Sequence, residues 1–127
     1  MKYLCLICAE KMMEQMPERD AKKHYQDYAD FTDGIRRSGH FVGANRLLPP
    51  DTAITVRVRN GKVSTTDGPW IETKEQLGGY YVIEANDVDE ATQIASKIPG
   101  AWLGCVELRP IAEDNQTLSV LGVATAT

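Results

Sequence analysis

The chain has 127 residues, of which 43% are hydrophobic and 25% charged, and its formal net charge is −4. That length suits one domain with a single core, and the composition excludes wholesale disorder. Lys and Arg are nowhere clustered, which argues against nucleic acid as a partner, and no apolar run approaches the roughly 20 residues that span a bilayer.

The segment Lys2 to Ala9 is almost continuously apolar and predicts a strand buried on both faces. Charges follow at once and no cleavage-site pattern appears, so the opening reads as a strand rather than a leader. The protein is expected to be cytoplasmic, which an odd count of three cysteines also fits. Cys5 and Cys8 form a C-x-x-C spacing. On a strand, positions i and i+3 face opposite ways, so this pair predicts buried structural thiols and neither a metal site nor a redox motif. No metal and no cofactor is expected.

A helix follows, with Pro17 at its first position and Glu18 and Asp20 where the dipole favours negative charge. Ala21, His24, Tyr25, Tyr28, Phe31 and Ile35 form one stripe at three- and four-residue spacing, and Gly39 closes the helix. His40 to Leu48 predicts a strand that Pro49-Pro50 ends. Ala53 to Arg59 alternates, with Ile54, Val56 and Val58 on one face. Asn60-Gly61 then signals a two-residue hairpin turn, and Lys62 to Thr66 returns as the partner strand.

Residues 65 to 82, TTDGPWIETKEQLGGYYV, lead from the hairpin into a strand over Gly79 to Ala85. A second helix starts at Asp87, with Glu90 three residues on as a capping-box pair. Val88, Ala91, Ala95 and Ile98 make its apolar stripe, and Pro99-Gly100 stops it. Leu103 to Arg109 is the last expected strand. Residues 112–127 are weakly patterned and read as a tail or as a strand exchanged with a partner.

The order is β-α-β, a hairpin, then β-α-β. Without the hairpin this is the split βαβ pattern of an α+β, ferredoxin-like sandwich, with both helices on one face of an antiparallel sheet. The apolar residues on the other face then need cover, and a second copy of the chain is the simplest supplier. The expected unit is a single domain over residues 1–111, paired as a homodimer.

Asp67-Gly68-Pro69 has turn chemistry, and Gly78-Gly79 either kinks a strand or lets a backbone or ligand approach. A turn does not need Glu72, Lys74 and Glu75 beside an aromatic. Polar groups beside aromatic walls in a long connection are the makings of a small-molecule pocket. In that reading Asp67 or Glu72 is a general base, Lys74 steadies negative charge, and Trp70 and Tyr80 supply the ligand's aromatic walls. Gly68, Pro69, Gly78 and Gly79 hold the turn. His24, on the apolar stripe, is either a packed residue or a catalytic one. Nothing resembles a P-loop, a dinucleotide fingerprint, a nucleophile elbow or a zinc-protease motif.

The run Thr66-Asp67-Gly68-Pro69-Trp70, then Glu72-Thr73-Lys74-Glu75-Gln76-Leu77-Gly78-Gly79-Tyr80-Tyr81, closely resembles the signature of the YCII-related proteins of the DGPF type, with Trp70 in place of the usual Phe. Ile98-Pro99-Gly100 and Gly104 to Pro110 fit the same pattern. The resemblance implies a dimeric α+β barrel built from two ferredoxin-like subunits. It implies no established reaction. Genes of this type are often found beside extracytoplasmic-function sigma factors, and shorter members carry a His–Asp pair proposed as catalytic, for which His24 is the counterpart to consider. Two functions are expected to compete: a small-molecule binder or cofactor-independent acid/base enzyme, and a non-catalytic module that meets a regulatory protein.

Overall fold

The computed structural model describes residues 1–10, 16–71 and 75–122. Six strands and three helices follow one another as β1 (Lys2–Glu10), α1 (Glu18–Arg37), β2 (Phe41–Arg46), β3 (Ile54–Arg59), β4 (Lys62–Asp67), β5 (Glu75–Glu84), α2 (Val88–Ala95), β6 (Gly104–Pro110) and α3 (Asn115–Val120). Short 3₁₀ turns lie at Pro50–Thr52 and Pro99–Trp102.

The main sheet has the order β2-β5-β1-β6, and every neighbouring pair is antiparallel. β5 lies between β1 and β2, the strands that α1 connects. β1 lies between β5 and β6, the strands that α2 connects. Two interleaved split βαβ units are the ferredoxin-like topology, so the α+β architecture expected from the sequence is the observed one. β3 and β4 form a separate two-stranded sheet, and Asn60 and Gly61 at its turn take φ of 52° and 75°. A turn with positive φ at both central residues matches the strand twist and favours an Asn-Gly pair at this position.

Burial follows the pleat. Tyr3, Cys5 and Ile7 of β1 and Tyr81 and Ile83 of β5 face the helices, and pack with Ile35 of α1 and Ala91, Ile94 and Ala95 of α2. Leu4, Leu6 and Cys8 point the other way and are only half-buried. Asp87 caps α2 by accepting the Glu90 N–H at 2.8 Å. The Glu90 carboxylate accepts from the Asn86 N–H at 3.0 Å and not from Asp87, so the expected box closes one residue early.

Several expectations need correction. β5 begins at Glu75, four residues before the expected start, because it pairs with β1 through Glu10 after a register shift at Ile7 and Cys8. α2 ends at Ala95, and Ile98 reaches the core from the turn beyond it. Pro17 is the cap residue of α1 and Glu18 its first helical position. Cys8 is not buried. Beyond β6 the chain forms α3, which Asp114 caps by accepting from the Thr117 N–H at 2.7 Å; sequence periodicity is too short over six residues to announce it.

Candidate functional site

The α1 stripe points His24, Tyr28 and Phe31 at the sheet. Tyr28 is fixed from two sides. Its hydroxyl accepts the Gly100 N–H at 3.0 Å, and its ring stacks on Tyr81 with centroids 6.4 Å apart. Gly100 has no room for a side chain: a Cβ there would lie 2.6 Å from both the Tyr28 hydroxyl and Ile7 Cγ2. Burial pushes the Tyr28 phenol up to about 12 and raises that of Tyr81, whose hydroxyl lies 2.7 Å from Thr32 Oγ1. Both therefore stay protonated in neutral solution.

His24 stands edge-on to Tyr28, with ring centroids 4.9 Å apart. Its Nε2 is shielded from solvent and has no hydrogen-bond partner among the described residues. Burial lowers its pKa, opposed by the nearby Asp27 charge. Desolvation thus favours the neutral imidazole, the form that can accept a proton.

Across from α1, β2 ends at Arg46. The Arg46 guanidinium donates to the Tyr25 hydroxyl and lies 5.7 Å from the centre of that ring, a cation–π arrangement. Among the described residues no carboxylate pairs with Arg46. Next to it, Asn45 donates to the Tyr80 hydroxyl at 2.8 Å. This closeness of β2 and β5 depends on Gly79, where a Cβ would lie 2.8 Å from the Asn45 carbonyl oxygen.

These groups border one cavity of about 670 Å³ between α1, the end of β2, the Leu47–Pro50 connection and residues 76–81 of β5. Its walls are mostly apolar; besides four tyrosines, its polar side chains are His24, Asn45, Arg46 and Gln76. That is the usual constitution of a small-molecule site. A broader groove of about 850 Å³ runs between α1, Ile94 and the Pro99–Trp102 turn. It is more open to solvent, and its His40 is already engaged by Glu90 at 3.3 Å and Ser38 at 2.6 Å. His24 borders this groove as well; what separates the two is Arg46, which borders the smaller and more enclosed cavity and not the groove, and makes that cavity the better candidate.

The residues singled out in the sequence divide. His24, Tyr80, Gly78 and Gly79 border the cavity. Asp67 ends β4 opposite Ile54, and is exposed. Gly68 takes a φ of 99°, donates its N–H to the Ala53 carbonyl at 2.7 Å, and offers its own carbonyl to Thr55 at 2.8 Å. Pro69 follows it, and Trp70 is 74% exposed. None of Asp67, Gly68, Pro69 and Trp70 borders the cavity. Glu72 and Lys74 lie outside the described residues. Sequence reasoning missed Arg46 and its union with Tyr25. The available signals were a lone cation just before Leu-Leu-Pro-Pro and a tyrosine on an otherwise apolar stripe. Among the described residues no three His, Cys, Asp or Glu side chains gather as a metal site.

Comparison with known proteins agrees with the fold. The YCII-related domain matches residues 1–115. An uncharacterised protein of Rhizobium meliloti (strain 1021) is 42% identical over 69 residues, 53% of this chain and 56% of that protein. The match thus spans little more than half of the relative's length.

Proposed function

The chain belongs to the YCII-related domain family, and we propose that it binds a small, negatively charged organic molecule in the α1–β2–β5 cavity for cofactor-independent acid/base chemistry. The observation that carries this reading is the unpartnered, solvent-shielded His24 Nε2 in a cavity that also contains Arg46. A buried polar atom without a partner costs stability, and a ligand proton or acceptor that meets it recovers that cost. Arg46 and Tyr25 supply the anchor for the ligand's negative group. His24, neutral because it is desolvated, takes or returns the proton.

The test is a thermal-shift screen of small carboxylates and phosphates, followed by calorimetry on any ligand found. Binding should vanish in Arg46→Met and weaken in His24→Gln. Asp67→Asn belongs in the same series, because Asp67 as base with Lys74 as the charge partner is the rival placement of the site. A ligand lost in Asp67→Asn and retained in Arg46→Met moves the site to the hairpin connection.

A second reading rests on one observation. Ile54, Val56, Val58 and Val63 share a face of the hairpin and are each more than half exposed. Such a stripe favours an assembly surface, and a homodimer closed over this hairpin is the proposed assembly. The regulatory-partner alternative would use the same surface. Sedimentation at micromolar concentration decides whether the unit is a dimer or a 14.1 kDa monomer.

A further inference from the structure

We propose that Cys8 and Cys105 form a cross-strand dithiol site that closes to a disulfide by exchange with a small-molecule disulfide of the glutathione class. The inference is independent of the cavity. Cys8 of β1 and Cys105 of β6 are direct partners in the antiparallel register. Direct partners have Cα atoms about 4.5–5.5 Å apart. A disulfide needs about 4.4–6.8 Å, so the register brings the two Cα atoms into the range the bond requires. Each thiol lies close enough to influence the other's proton affinity.

The backbone enforces this proximity. Gly104 precedes Cys105, and a Cβ on it would lie 2.2 Å from the Cys8 carbonyl oxygen and 2.8 Å from Ala9 Cα. Only a glycine lets β6 run this close to β1. The two thiols differ in access: Cys105 is exposed on an edge strand, while Cys8 is half-buried beside it. Cys105 donates its S–H to Glu75 Oε2 at 2.8 Å. That bond, with burial and the carboxylate charge, pushes the Cys105 thiol up to about 11. The pair therefore rests as two thiols and reacts through a minor thiolate population, faster as pH rises.

The chemistry balances in two exchanges. Cys105 gives its proton to solvent, and its thiolate attacks one sulfur of the small disulfide. That S–S bond breaks, and one thiol leaves. Cys8, deprotonated in turn, attacks Cys105 Sγ in the mixed disulfide and releases the second thiol. Two electrons pass from the protein to the small disulfide, and two small thiols are the only by-products. Cys5 takes no part: it is fully buried on the opposite sheet face.

The test is peptide mapping by mass spectrometry of the native protein after incubation with oxidised glutathione at pH 8, without reduction. The expected result is a Cys8–Cys105 linked pair, with both thiols lost together and Cys5 unmodified. Cys8→Ser should halt at the first step and accumulate glutathione on Cys105. A wild-type protein that retains glutathione on Cys105 without forming the link overturns the proposal. So does a native protein that stays fully reduced while its urea-unfolded form reacts. The wild-type map decides the matter even if the serine variant fails to fold.

Discussion

β1 and β3 each carry an apolar residue at every second position along one face, and those two faces meet opposite fates. Tyr3, Cys5 and Ile7 alternate along β1 and are 2%, 0% and 8% exposed; Ile54, Val56 and Val58 alternate along β3 and are 63%, 59% and 54% exposed. Alternation fixes which side chains share a face, because the strand repeat is two residues. It does not say whether anything covers that face. β1 is covered because two helix stripes, α1 and α2, are delivered to its side by the split βαβ connections. The hairpin is an insertion between β2 and β5 and, among the described residues, brings no α-helix of its own.

The sharpest way to break this comparison is to truncate both strands' neighbourhoods. Ile83 is fully buried against the helices, so Ile83→Ala should cost about 2–5 kcal/mol in urea unfolding. Val56→Ala should cost well under about 1 kcal/mol in a monomer, because an exposed side chain loses little by truncation. If a second copy covers the hairpin, the Val56→Ala loss should grow with protein concentration. Equal losses at the two positions would show that the hairpin is as covered as the core.

Glycine positions give the next-largest effects. Gly79→Ala places a Cβ against the Asn45 carbonyl, and backbone cannot swing aside as a side chain can; about 1–3 kcal/mol of overpacking cost is expected. Gly61→Val should cost on the order of 1 kcal/mol or more, since a β-branched residue resists positive φ. Thermal melts measure both. Gly79→Ala should also disturb the cavity, which Gly61→Val should leave intact. A ligand affinity altered equally by both would separate the cavity from the ligand.

Much of the fold was legible because its signals are local. Pro17, the α1 stripe, Asn60-Gly61 and the Asp87 cap each announce an element within a few residues. The candidate site was only partly legible because it is assembled across the chain. His24 and Tyr28 come from α1, Arg46 from the end of β2, and Gly78 and Gly79 from β5. The Asp-Gly-Pro stretch drew attention through dense turn chemistry, yet Gly68's positive φ and its bonds to Ala53 and Thr55 account for much of it. Arg46 carries no motif, and its partner Tyr25 is 21 positions away. Nor can a C-x-x-C spacing reveal that Cys8's true neighbour is Cys105, since strand register is a long-range property.

A smaller effect separates the caps from the packing. Asp87→Ala removes the acceptor for the Glu90 N–H, and should cost about 1 kcal/mol in urea unfolding. Asp87→Asn should recover most of it, because the amide oxygen still accepts.

The smallest expected effect concerns His24 and distinguishes a buried neutral imidazole from a surface one. Burial lowers its folded-state pKa below the ordinary 6.5, while the unfolded chain keeps the ordinary value. In the window between the two, the unfolded state therefore binds more protons than the folded state. Stability falls as the pH drops through this window, and is free of this penalty above it. The facing groups include the ring of Tyr28 and the charge of Asp27, which opposes the shift. His24→Gln cannot titrate, so its unfolding free energy should vary less than the parent's from pH 7 downward, with the two curves converging in shape above pH 7. Urea midpoints taken at half-unit steps of pH measure this difference. Parallel curves across the whole range would show that His24 is solvated, and would remove the desolvated base from the proposed chemistry.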